Sequence, residues 1–306
     1  MTEGTNRPDR IVIGVDFSPS SVAAAKWVSC WVTRCSELVL VHALVVPEMS
    51  GALASRLPMP ELLLANAKNG AERRLRELGA TLGAHAISIE VHEGRPADVI
   101  ARVAQACNAD LIVVGKHGEA GIHRGYTGRT TDHLVRASSA SVLVSDGFPE
   151  GAPQRILVPV TRSSITPYII DRTRRLFELS QAEIFLVHVV GSAVLGHVMT
   201  MSAITSGQDL SPEEIDEVFS EDRERWKREL VNAGIPEAKV FAEVTFGEVS
   251  EGIIHAAAQH HADMIVVGSH AGPTRRLLLG SAASAVLREA GVPVLIVVEP
   301  ESSLRP

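Results

Sequence analysis

Three glycines near the middle of the chain have a spacing suited to holding a phosphate. Gly115 follows the apolar run Leu111-Ile112-Val113-Val114, Gly118 comes three residues later, and Gly128 ten after that. The stretch 130–137 then reads as a helix. A buried strand that enters a glycine-bearing loop and then a helix brings backbone N–H groups close to an anion, and the helix N-terminus adds a favourable dipole. Lys116 and His117, inside the loop, are further candidates to line a phosphate pocket. The alternative use of three glycines is turn geometry alone.

The same plan occurs twice. Ala262-Asp263-Met264-Ile265-Val266-Val267-Gly268 repeats Ala109-Asp110-Leu111-Ile112-Val113-Val114-Gly115, and Phe185-Leu186-Val187-His188 repeats Val39-Leu40-Val41-His42. Arg155-Ile156-Leu157-Val158 repeats Arg10-Ile11-Val12-Ile13, and Pro293-Val294-Leu295-Ile296 repeats Ser141-Val142-Leu143-Val144. The period, about 150 residues, is the size of a domain and indicates a duplication. The division is a polar tail 1–9, a first domain 10–146, a linker 147–154 and a second domain 155–306.

Strands are expected at 11–15, 38–43, 87–92, 111–114 and 141–145, and again near 156–160, 183–189, 240–244, 264–267 and 294–298. Helical patterns separate them, among them 61–82, 97–107 and 212–232, while 191–210 is irregular. Continuous apolar strands alternating with helices mean parallel sheets covered on both faces. In such sheets a ligand sits beyond the strand carboxyl ends, where the strand order reverses. Asp16, Ala43 and Gly115 all fall at strand ends of that kind.

Composition narrows the function. The formal net charge of −7 and the 4% aromatic content disfavour a nucleic-acid partner, which needs basic charge and stacking platforms. No apolar run approaches a bilayer-spanning length. The first ten residues are polar, with no apolar signal core, so a cytoplasmic location is expected. Cys30, Cys35 and Cys107 contain no C-x-x-C pair and are expected to be reduced and buried. Histidines cluster near both glycine loops (His117, His123 and His133; His260, His261 and His270) without the spacing of a zinc site, so no metal is expected. Ser18, Ser20 and Ser21 lie near Asp16, but neither a G-x-S-x-G elbow nor a Walker A sequence occurs. The arginine runs Arg73, Arg74, Arg76 and Arg172, Arg174, Arg175 read as solvated helix faces.

Together these features resemble the universal stress protein family in its tandem two-domain form. The resemblance rests on Ile13-Gly14-Val15-Asp16-Phe17-Ser18, the strand Leu40-Val41-His42, Glu93-Gly94-Arg95-Pro96, Ala109 to Gly115 and the closing strands, and it covers the chain after the tail. It implies an α/β fold of two Rossmann-like (adenine nucleotide alpha hydrolase-like) domains, each a five-stranded parallel sheet with helices on both faces. It also implies pairing of the two halves through their last strands as an internal pseudo-dimer, and makes a homodimer a candidate assembly.

Family members that bind ATP carry G-x2-G-x9-G-[S/T], and others lack that motif and bind no nucleotide. Here Gly115, Gly118 and Gly128 match, but Arg129 stands where Ser or Thr belongs and Thr130 comes one place late. A guanidinium is itself a good phosphate donor. Asp16 matches the family's first-strand aspartate, and Ala43 a residue whose backbone reads adenine; a helix cap is the plainer role for Asp16. The ligand implied is ATP, with magnesium as a candidate companion, in the first domain. The second domain departs further: Thr161 replaces the aspartate, the second glycine is displaced, the loop from Gly268 to Gly280 is one residue shorter, and Pro273 removes an N–H donor. Gly280-Ser281 is intact, yet a structural relic is the favoured reading. The functions left open are an ATP-binding regulator, a nucleotide-free scaffold, and an enzyme on the same fold, at most a slow ATPase because no general base is placed.

Overall fold

Strong β-formers fill the short apolar runs, and the computed structural model arranges them in a single sheet. It describes residues 10–31, 35, 37–45, 60–83, 86–116, 131, 133–135, 137–138, 140–145, 151–160, 165–176, 182–191, 196, 200, 214, 217, 219–232, 234–271, 277–278 and 280–298. The first half holds strands β1 (Arg10–Gly14), β2 (Glu37–Leu44), β3 (Ala86–Glu93), β4 (Leu111–Gly115) and β5 (Ser141–Ser145), with helices α1 (Pro19–Trp31), α2 (Pro60–Gly79) and α3 (Pro96–Ala106). The second half holds β6 (Arg155–Pro159), β7 (Glu183–Gly191), β8 (Val240–Gly247), β9 (Met264–Ala271), β10 (Leu277–Leu278) and β11 (Val294–Val298). Its helices are α4 (Ile165–Leu176), α5 (Ser220–Asn232), α6 (Val249–Gln259) and α7 (Ser281–Glu289).

Ten strands run in the order β3-β2-β1-β4-β5-β11-β9-β6-β7-β8, and β10 pairs only with β9. Each half contributes five parallel strands. The halves meet where β5 and β11 pair antiparallel, Val144 opposite Val294 and Val142 opposite Ile296. Alternation along each strand sends residues to two cores, one per face of the sheet. Ile11, Ile13, Leu38 and Leu40 join α1 and α2 on one face, where Trp226 and Leu230 of α5 also lie; Val12, Ile112 and Val142 join α3, α6 and α7 on the other. Both cores draw residues from both halves. Full burial of each such side chain stabilises the fold by about 1.5–3 kcal/mol before entropy is counted.

The duplication extends to backbone detail. Gly94 and Gly247 each have φ 137 two residues before α3 and α6, a conformation open to glycine and strained for any residue with a Cβ. Both helices are followed, just past the C-caps Cys107 and His260, by a left-handed residue, Asn108 (φ 52) and His261 (φ 49). The start of α3 has Pro96 at a first-turn position, where its missing N–H removes no helical bond. At the start of α6 the Glu248 carboxylate accepts the N–H of Glu251 at 2.9 Å.

Two expectations change. Arg172 is not on a solvated face: its side chain is 19% exposed and its guanidinium donates to the Asp110 carbonyl at 2.6 Å, tying α4 of the second half to β4 of the first. Arg74 is exposed, as expected of that face, with its guanidinium 3.8 Å from the Phe17 ring centroid. Cys30 is exposed, whereas Cys35 is buried and Cys107 partly so; all three are free thiols. Burial raises the Cys35 and Cys107 thiols above the ordinary range.

Candidate functional site

The crevice begins where β1 and β4 lie side by side. In a sheet ordered β3-β2-β1-β4-β5, connections leave these two strands in opposite directions, and their carboxyl ends flank an opening. Two of the expected site residues meet here. Asp16 follows β1, and its Oδ1 accepts from the Ser18 backbone N–H at 3.0 Å and the Ser18 hydroxyl at 2.5 Å. Ser18 Oγ in turn accepts the Ser21 N–H at 3.2 Å, which caps the first turn of α1. Asp16 is therefore not the cap itself; it braces the residue that is.

Gly115 ends β4 against that same turn. A Cβ placed there would lie 2.6 Å from Ser20 Oγ and 2.8 Å from the Ser21 backbone nitrogen. The glycine is thus required by close approach of strand to helix. Ser20 donates to the Ser145 carbonyl at 3.0 Å, and the Lys116 N–H reaches the same oxygen at 2.8 Å, so α1, β4 and β5 converge on one acceptor. The Lys116 ammonium donates to the Ala290 carbonyl at 2.8 Å, at the C-terminal end of α7. That end carries partial negative charge, which suits an ammonium.

Ala43 lies one strand further out, near the carboxyl end of β2 and opposite His92 of β3. Beside it His42 Nδ1 is 2.7 Å from the Val15 carbonyl. A carbonyl can only accept, so Nδ1 carries the proton. The His42 ring meets Phe17 at 4.7 Å between centroids, and Phe17 itself adopts φ 64. His188 repeats the arrangement, with Nδ1 2.8 Å from the Val160 carbonyl. The recurrent Leu-Val-His signalled this bracket; nothing in the sequence signalled a left-handed phenylalanine or the bonds of Lys116 and Ser145. His117, Gly118, Gly128, Arg129 and Thr130 lie outside the described residues, as do Thr161 and Pro273 of the second half. Among the described residues no group of three or more His, Cys, Asp or Glu side chains is disposed to hold a metal.

The model of the universal stress protein family matches residues 8–145 and again 153–298. The chain belongs to the universal stress protein family. Universal stress proteins of Mycobacterium tuberculosis and Mycolicibacterium smegmatis are each 25% identical to this universal stress protein, over 94% of this chain and 96% of theirs. The crystal structure of a universal stress protein from Archaeoglobus fulgidus superposes with a TM-score of 0.67 at 16% identity, covering 96% of this chain and 97% of that one. One from Pseudomonas aeruginosa gives 0.60 at 15%, over 97% and 95%. These structures share the tandem fold; at such identities they carry the fold alone. No helix among the described residues of this universal stress protein is long and apolar enough to cross a membrane.

Proposed function

We propose that this protein is a cytoplasmic stress-response protein that binds ATP, with magnesium, in its first domain as a regulatory ligand. The observation that carries this reading is the convergence of Asp16 and Gly115 at the β1–β4 opening, with Ala43 on the neighbouring strand. The sequence from Gly115 through Gly118 to Gly128 then supplies the glycine spacing for a phosphate, with Arg129 and Thr130 in place of the usual hydroxyl. Support also comes from the family to which the chain belongs, some of whose members bind ATP through this motif. In this reading the two halves act as an internal pseudo-dimer, and a homodimer adds a second pair.

The competing reading is a nucleotide-free partner-binding scaffold. One observation favours it: the Lys116 ammonium, beside the first glycine, is directed to Ala290 in the second half. Calorimetry with magnesium-ATP on the full chain and on Gly118→Val separates the two. Saturable binding of about one nucleotide per chain, lost in the variant, supports the ATP reading. Absence of binding by folded protein overturns it in favour of the scaffold. Steady phosphate release, also lost in Gly118→Val, would point to a slow ATPase.

A further inference from the structure

At the far corner of the second half lies a cavity of about 300 Å³ that the nucleotide reading leaves unused. It is lined by Phe185 and Leu186 of β7, by residues 240–243 of β8, by Lys227 of α5 and by His260 just after α6. Phe185 is near the start of β7, and β8 is the last strand of the sheet. The cavity therefore sits at the strand amino ends of the second half, with β5, β11, β9 and β6 lying between β7 and the strand β4 that ends in Gly115.

The lining is organised around an aromatic stack. The Phe185 ring lies 4.5 Å from His260 at 21° and 5.0 Å from Phe241 at 13°. Phe185 and His260 are mostly covered, whereas Phe241 is 43% exposed on an edge strand and offers ring surface to a guest. Polar groups frame the stack. His260 Nε2 is 2.9 Å from Glu243 Oε2 but out of hydrogen-bond alignment, so this buried nitrogen has no hydrogen-bond partner. Buried ring nitrogens are rarely left so. The Lys227 ammonium is engaged by Glu224 at 3.1 Å, which leaves Glu243 as the acceptor of the cavity.

We infer that this cavity is a second ligand site, for a small planar aromatic molecule bearing a ring N–H. The ring stacks on Phe241 beside the Phe185–His260 pair, and its N–H donates to the Glu243 carboxylate. An aromatic wall with one or two placed polar groups is the usual make-up of a small-molecule site, and this volume is at the low end of the usual range of about 300–1,000 Å³. One or two fused rings fit; a nucleotide with its phosphates does not suit a pocket whose acceptor is an anion.

The test titrates indole into the full-length protein by calorimetry and ligand-observed NMR, with indene as the same shape lacking the N–H. Indole is expected to saturate at one per chain and to bind about tenfold tighter than indene, as a charge-assisted hydrogen bond adds to stacking. Phe241→Ala, at an exposed edge position, should weaken indole about tenfold or more. Glu243→Leu, which removes the acceptor, should lower indole affinity to that of indene, a readout that survives if Phe241→Ala unfolds. Failure of indole to saturate, or equal binding of indole and indene, overturns the proposal. So does a change in self-association in Phe241→Ala without indole binding, which would make the edge a contact between copies. The outcome with ATP has no bearing, because β5, β11, β9 and β6 lie between the two sites.

Discussion

Gly115 has two candidate reasons to be glycine, and only one of them is a matter of packing. A methyl group there would meet Ser20 Oγ at 2.6 Å and the Ser21 nitrogen at 2.8 Å. The hydroxyl could swing aside, but it would give up its bond to the Ser145 carbonyl; the backbone nitrogen cannot move without displacing α1. Gly115→Ala is therefore expected to destabilise the fold by about 1–3 kcal/mol, as overpacking of a filled interior does. Urea denaturation checks this, and an unchanged midpoint would show that α1 yields freely. Any loss of ATP affinity in that variant would be confounded with strain, which is why Gly118→Val is the better probe of the phosphate loop. At this scale the sequence was informative about type and silent about contact. Asp16 and Gly115 could be placed at strand ends from the repeat, whereas the Ser18 brace depends on a left-handed Phe17 that no pattern of residues announces.

Helix α7 joins the two halves at the scale of elements. Its C-terminal carbonyl at Ala290 receives the Lys116 ammonium from the first half at 2.8 Å, while its N-terminus opens directly after Gly280 of the second. Hydrogen bonds to charged groups contribute about 1.5–3 kcal/mol when buried. Lys116 is only partly buried, so Lys116→Met, which keeps the apolar stem, is expected to cost about 1–2 kcal/mol. Equal denaturation midpoints for wild type and variant would show that the clasp contributes nothing in solution. Most strands could be read in advance to within a residue or two, because each is a short β-branched run bounded by polar turns. β8 runs three residues further, to Gly247, and β10 has no counterpart in the expected strands; β9 departs furthest. It was expected to end at Val267 but continues to Ala271 and folds back on Leu277–Leu278. Gly268, Gly272 and Pro273 look like loop residues locally, and it is pairing that extends the strand, Gly268 and Ser269 with Val297 and Val298 of β11 and His270 and Ala271 with Leu278 and Leu277. The burial of Arg172 escapes the sequence for a related reason. A polar helix face looks solvated until another half supplies a partner, here Asp110 at a separation of 62 residues.

For the molecule as a whole the decisive feature is the antiparallel seam between β5 and β11. Contacts between domains of one chain are commonly modest and polar, and such domains melt separately. Here the seam is a backbone ladder whose residues Val142, Leu143, Val144, Val294, Leu295 and Ile296 are all buried, and each face of the sheet has one core fed by both halves. Opening the seam would expose two unpaired strand edges and part of both cores at once. Arg172 and Lys116 add polar ties across it, and Trp27 of α1 donates to the Gly151 carbonyl at 2.8 Å. Unfolding one half alone would therefore strip the other of structure it cannot replace with water. The full chain is expected to unfold in a single calorimetric transition, with van't Hoff and calorimetric enthalpies in agreement. Two resolved transitions would mean that each half carries its own stability and that the seam merely aligns them. A single one would make the tandem sheet the folding unit, so that a ligand held at the β1–β4 opening stabilises both halves together through mass action.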